Sequence, residues 1–382
     1  MSAWRKFLEE ESEYQWISFA VFTFVVIIGA VLIDWSDNLS GFHEGAAIEQ
    51  KGIIHDSAGD AIIFENDSGK YVSLHDNEQE APYAACLVQH LHITFACMGQ
   101  EGIIFFSEEN HPENYGWIPM SLGKDVVAKN VEANDDNELL VIIQDGTSDK
   151  LAAMRISDGQ GLSPIANQDG SMHLNTILAT DNGWLVGGSW QAPPNWLGTN
   201  PASPPMFELV MFVEWDGINA PDSEIIYLGG EGTIHGIYEM KNGNHIATGT
   251  DDTVILDGND VTSLNIASFS SVADNNQKVW LFGGLNSDSV AIIHNGDIDY
   301  EELPSNLGLT PNYVFCDSDG LISVYGTDGG DSPSAVSIES NARTSILSLR
   351  GVLDLGFILF SITIISVMVW NIADSIRRGE VF

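Results

Sequence analysis

Over most of the chain, apolar residues come in runs of four to six, separated by Asp, Asn and Gly, without a helical period. Two segments break this pattern. Residues 16–33, WISFAVFTFVVIIGAVLI, are 18 uncharged and mostly apolar residues, and residues 355–373, LGFILFSITIISVMVWNIA, are 19 uncharged ones. A bilayer core of about 30 Å takes about 20 helical residues, so both have the length of a membrane span. Trp16, Trp35 and Trp370 stand where interfacial aromatics belong. The pattern therefore predicts a tail over 1–15, a transmembrane helix over 16–35, a strand-built region over 46–342, a second transmembrane helix over 352–373 and a tail over 374–382. A cleaved signal peptide is the competing reading of the first segment. Its leader, with two basic and four acidic residues, is unlike a positive n-region, which favours a retained anchor.

The strand-built region repeats itself. GIIHDSAGDAIIFE (52–65), HLHITFACMGQEGIIFFS (90–107), VVAKNVEANDDNELLVII (126–143) and HLNTILATDNGWLVGGS (173–189) each pass from a short strand through a polar turn into a second strand. IHGIYEMKNGNHIATG (234–249), SSVADNNQKVWLFGG (270–284) and PNYVFCDSDGLISVYG (311–326) do the same. Seven such units share 297 residues, about 42 each. Strands alone at that period predict a β-propeller of four-stranded blades, with seven blades in a range of six to eight. A β-solenoid, the rival, uses shorter repeats and open ends. A ring would bring residues near 46 and 342 together.

Leu185-Val186-Gly187-Gly188 and Leu281-Phe282-Gly283-Gly284 resemble the apolar-Gly-Gly strand end of kelch repeats, and Trp215 echoes their later tryptophan. Other units are similar to YVTN or WD40-like repeats, without a Trp-Asp ending. The resemblance implies the propeller class and carries no catalytic residue with it.

Charge narrows the partners. With 54 acidic and 14 basic residues the net charge is −40, which repels phosphate backbones and excludes nucleic acid as a partner. Arg5 and Lys6 precede the first span and Arg377 and Arg378 follow the second. The positive-inside tendency puts both termini in the cytoplasm and the propeller outside a cell membrane; Arg343 and Arg350 pull against this. Asn38-Leu39-Ser40 and Asn66-Asp67-Ser68 fit the glycosylation pattern. Asp354 falls in the headgroup region at the head of the second span.

Candidate chemistry is sparse. The segment SWQAPPNWLGTNPASPPMFE (189–208) holds five of the 13 prolines. Its Trp190, Asn195 and Trp196 are the candidate ligand- or partner-binding residues, because a stiff loop with large aromatics loses little entropy on binding. A loop that packs over its own blade is the alternative. Asp317 and Asp319 are candidate calcium ligands, although Asp is also an ordinary hairpin-turn residue. No other cofactor is indicated. The chain lacks G-x-S-x-G, H-E-x-x-H and P-loop motifs, and its ten histidines are scattered, so no catalytic residue is assigned. In CLVQHLHITFAC (86–97), Gln89–Cys97 reads as the inner strand of the second unit, with the turn at Met98-Gly99-Gln100-Glu101-Gly102. Side chains alternate across a strand, which splits these Cys and His between two faces and makes the cysteines apolar fillers first; a Cys86–Cys97 bond is the alternative, needing a fold-back between the connecting strand and the inner one. Three functional readings stand: a membrane-anchored binding or sensor module, a surface enzyme with its site on the propeller axis, and a structural subunit of a membrane complex.

Overall fold

A computed structural model describes residues 45–340 apart from internal stretches, the longest being 108–117, 121–126, 156–162, 165–170 and 194–203; it also describes residues 22, 24–29 and 349–378. The chain divides into two units, one of residues 44–340 and one of 1–43 with 341–382. The first unit is an all-β propeller.

Its described strands make seven four-stranded antiparallel sheets, each built from consecutive strands. The last sheet is completed from the other end of the chain: Gly45–Ala47 pairs with Val336–Ile338 beside the strands Thr310–Cys316, Leu321–Thr327 and Pro333–Glu339. The first strand of each sheet touches the first strand of the next, and the last sheet touches the first. These inner strands therefore surround the axis. Between sheets lie the cores. One packs Phe95, Cys97 and Ile103 against Val131, Leu139 and Met154; another packs Trp280 and Phe282 against Val314, Ile322 and Ile338. One sheet cannot cover both its apolar faces, and the ring covers them without leaving a long open edge.

The Asp- and Asn-rich turns have a repeated geometry. In Asn134–Glu138, Asp274–Lys278 and Asp317–Leu321, the first residue's side-chain Oδ1 accepts the backbone N–H of the fifth, at 2.9, 3.0 and 2.8 Å. The fourth residue is left-handed: Asn137 at φ 59°, Gln277 at 57° and Gly320 at 85°. Asx side chains close such turns, which explains why short acidic clusters recur along the chain.

A second repeat lies in the inner strands. A β-bulge leaves His55, Lys129, Asn175, His235 and Asn312 without a cross-strand pair in the first, third, fourth, fifth and seventh sheets. At and around these bulges polar bonds stitch each sheet to the next. Asp56 Oδ2 accepts Leu87 N at 2.7 Å, and Ala128 N donates to Gly99 O at 3.0 Å. Asn130 Nδ2 donates to Asn175 O at 2.8 Å, and Asn175 Nδ2 to Thr233 Oγ1 at 2.7 Å. Tyr238 OH donates to Ser271 O at 2.6 Å, and Asn275 Nδ2 to Ser318 O at 2.7 Å. The seventh sheet meets the first where the Tyr313 hydroxyl accepts Ser57 N at 2.9 Å and donates to Ser57 O at 3.0 Å.

Two expectations are corrected. The inner strand of the second sheet is Cys86–His90, and Ile93–Cys97 is its second strand. His90 pairs with Ile93, so the hairpin closes inside a stretch that has no Gly, Asn or Pro to mark it. Cys86 and Cys97 are then directly opposite, 5.0 Å apart at Cα, and form a disulfide rather than serving as apolar fillers. The bond lies in the core shared with the third sheet. Six of the seven first hairpins fall where the repeat placed them.

The glycine pair resembling kelch repeats has a steric basis in only one of its two copies. A Cβ on Gly188 would sit 2.2 Å from His173 O, and one on Gly187 would sit 2.6 Å from Ile234 Cγ2. Among the described residues Gly283 and Gly284 have no such neighbour, and Gly284 takes a positive φ of 33° instead.

In the second unit, residues 24–29 are helical and a helix runs over Leu349–Arg378. A Cβ on Gly29 would meet the Phe357 ring at 2.2 Å, so glycine is what lets the two segments approach. Phe22, Val26 and Gly29 are half-buried, as are Phe357, Ser361 and Ile364, and each set is spaced i, i+4, i+7. Most of the first expected span lies outside the described residues. Over the described side chains alone, which in the long helix run unbroken only from 355 to 367, no helix is long and apolar enough to cross a membrane.

Two variants probe this architecture. Tyr313→Phe leaves the Ser57 backbone groups without their partner and is expected to lower stability by about 1–3 kcal/mol in denaturant titration. Replacing Cys86 and Cys97 by Ser removes a closed loop of 11 residues' separation and is expected to cost about 3 kcal/mol, while a thiol assay of the unfolded, unreduced parent should find Cys316 alone.

Candidate functional site

A cleft of about 490 Å³ opens between the inner strands of the fifth, sixth and seventh sheets. The inner strand of the sixth sheet differs from its neighbours on either side. Ser270–Ala273 is four residues long and pairs without a bulge, whereas its neighbours Ile234–Glu239 and Thr310–Cys316 have six and seven residues and bulge at His235 and Asn312. His235 and Tyr238 line the cleft from one side, Phe269 to Ala273 from the back, and Asn312 to Cys316 from the other side.

Its polar groups are tied down in different degrees. His235 Nε2 lies 3.1 Å from both the carbonyl and the hydroxyl oxygen of Ser268, and its Nδ1 lies 3.3 Å from Ser271 Oγ. Ser271 Oγ is 2.6 Å from the buried Thr248 Oγ1. His235 thus meets hydroxyls and a carbonyl, and this arrangement knits two sheets together. Burial pushes the imidazole down to about 4, so it is neutral near pH 7. Burial pushes the Tyr238 hydroxyl up to about 12 and the half-buried Cys316 thiol up to about 11. The Tyr313 hydroxyl is raised further, by burial and by the nearby Asp56. Phe269 is 60% exposed at the rim, and Asn312 is exposed.

The residues expected to bind are placed elsewhere. Trp190 is 5% exposed, in the core with Met172, Leu174 and Met211, because the strand Gly183–Gln191 runs on into the stretch read as loop. Asn195 and Trp196 lie outside the described residues. Asp317 Oδ1 accepts the N–H groups of Asp319 and Leu321 and so closes its turn. Among the described residues no group of three His, Cys, Asp or Glu is placed to hold a metal ion. Sequence reasoning did not single out Phe269, Asn312 or Tyr313. No motif marks them; Asn312 sits at a β-bulge, which the sequence does not signal.

No family model matches the chain. No curated protein sequence matches it either. Among solved structures, puromycin hydrolase aligns at 12% identity with a TM-score of 0.51, over 76% of this chain and 52% of that one. YCF48 bound to D1 peptide aligns at 9% identity with a TM-score of 0.49, over 78% and 96%. A putative gluconolactonase aligns at 13% identity with a TM-score of 0.43, over 81% and 96%. This chain spans about half the length of the puromycin hydrolase it matches. Likeness at this identity shows the fold alone.

Two carboxyls near the axis make stability depend on pH. Burial raises Asp56 to about 6 against the hydrogen bonds from Leu87 and Ser57, and raises Glu132, on the inner strand of the third sheet, to about 8. Both are raised in the fold, so the protonated forms are favoured there. Their contribution is complete below about pH 4 and is lost as pH rises through about 6 and then about 8. The melting temperature is therefore expected to fall from about pH 5 to about pH 9, and Glu132→Gln to flatten the upper part of that fall. An unchanged upper slope in the variant would contradict this.

Proposed function

We propose that the chain is a seven-bladed propeller held on the outer face of a membrane by a helix at each end, and that it serves as a ligand-binding or sensor module whose site is the axial cleft. The observation that carries the binding role is the cleft itself. It sits where three inner strands converge, and it combines exposed aromatic surface with amide and hydroxyl groups, the usual make-up of a small-molecule site.

Support for the membrane comes from the second unit. Only one stripe of each helical segment is covered. Phe24, Ile27 and Ile28 on one, and Leu355, Ile358, Leu359, Phe360, Ile362 and Ile365 on the other, are 41–63% exposed. A helix that is apolar on its uncovered faces belongs in lipid. Thr363 and Ser366 return their hydroxyls to the carbonyls of Leu359 and Ile362, both at 2.7 Å, which satisfies them without water. Support for the outside comes from the disulfide, a bond that persists in oxidising compartments.

Two measurements follow. The full chain should stay with membranes through an alkaline carbonate wash, with Cys86–Cys97 oxidised; release of the chain or a reduced pair would contradict the anchoring or the sidedness. A fragment library screened by hydrogen exchange on the full chain in lipid nanodiscs should give binders that protect residues 269–273 and 312–316. Binders that protect only other surfaces would overturn the cleft.

A further inference from the structure

The cleft differs from the rest of the molecule in charge. The chain carries −40, yet among the described residues no Asp, Glu, Lys or Arg lines the cleft. The nearest acids are turned into the joints. Asp56 accepts Leu87 N and Ser57 N, and Asp274 accepts Trp280 Nε1 at 3.0 Å together with the N–H groups of Asn276 and Lys278. The four titratable side chains of the lining are all held in their uncharged forms at neutral pH.

Chemistry then sorts the ligand classes. A charged group entering this cleft would lose hydration, and the carboxylates beside the lining, Asp56 next to Tyr313 and Asp317 next to Cys316, already spend oxygens on backbone N–H groups. A purely apolar ligand would strip water from Asn312 and Ser270 without replacing their hydrogen bonds, at about 1–3 kcal/mol for each group left unpaired. A ligand with one apolar face and a rim of hydroxyls meets both demands. Phe269 offers a ring that is 60% exposed, a face on which an apolar ligand surface can stack. Phe315 and Val272 continue the apolar wall, and Asn312 supplies an exposed amide able to donate and accept.

Resting on the reading of the cleft as a ligand site, we propose that it binds an uncharged sugar ring, with the ring's C–H face on Phe269 and its hydroxyl edge bonded by Asn312 and Ser270. The sugar's lack of charge is what distinguishes this site from one tuned to cations, which the acidic surface would otherwise attract.

The test uses the full chain in lipid nanodiscs, which avoids sugar-headed detergents. The probes are three trisaccharides that differ in charge: N-acetylated chitotriose, its deacetylated triamine, and trigalacturonate, with maltotriose as a second neutral ring. Binding is read by calorimetry and mapped by hydrogen exchange. A neutral trisaccharide should bind and protect 269–273 and 312–316, both charged ones should bind about tenfold more weakly or worse, and Phe269→Ala and Asn312→Ala should each cost about tenfold. Phe269 is exposed, so its replacement does not threaten the fold. If the triamine or trigalacturonate protects the same strands as well as the neutral sugars, or if only non-sugar fragments do so, the sugar class is overturned and the cleft stands. If no probe or fragment protects these strands, both are overturned.

Discussion

The ring depends on a contact between residues 256 positions apart: the Tyr313 hydroxyl, which takes both backbone groups of Ser57. It acts together with the pairing of Gly45–Ala47 on Val336–Ile338. Every other joint is made between sheets that follow one another in the chain, so local contacts bring those sheets together. The last joint has no such help, and its closure entropy is the largest. Without it each end sheet exposes an apolar face. The same tyrosine lines the cleft, and its neighbour across the joint, Asp56, holds Leu87 N in the second sheet. Closure and the shape of the site are therefore properties of one set of inner-strand residues.

The molecule separates its charges by depth. Acidic side chains at the turns spend their oxygens on backbone N–H groups, as Asn134 does with its amide oxygen, and the remaining surface carboxylates face water. Towards the axis, burial keeps His235 and Glu132 uncharged near pH 7. The interior seam is mostly amides and hydroxyls, and Lys129, on the bulge of the third sheet, is paired with the buried Asp149. That avoids the desolvation cost of burying unpaired charges.

Much of the fold was legible because the signal was periodic. Turns such as Asn242-Gly243 and Asp319-Gly320 punctuate runs of β-formers, and these alone placed six of the seven first hairpins. The exception, at His90 and Ile93, lacks any turn-forming residue, and the error moved the second unit by one strand. The disulfide was lost with it, since whether Cys86 and Cys97 face one another depends entirely on register. Trp190 misled for a related reason: strand ends are set by pairing, here with Met172 and Phe207, and proline only marked where the strand had already finished. The cleft was not legible at all. Two of its lining residues, His235 and Asn312, sit at β-bulges, and a bulge has no residue signature of its own.

Native-state hydrogen exchange at the closing strand tests the account most directly. If the strand over 45–47 is an integral member of the last sheet, amides in its hydrogen bonds with Val336–Ile338 exchange only with global unfolding, at the rate of the core strand Leu321–Thr327. Exchange of the 45–47 amides orders of magnitude faster, with the core strand still protected, would mean that the ring is held without them and would contradict the closure on which the fold and the cleft are argued to rest.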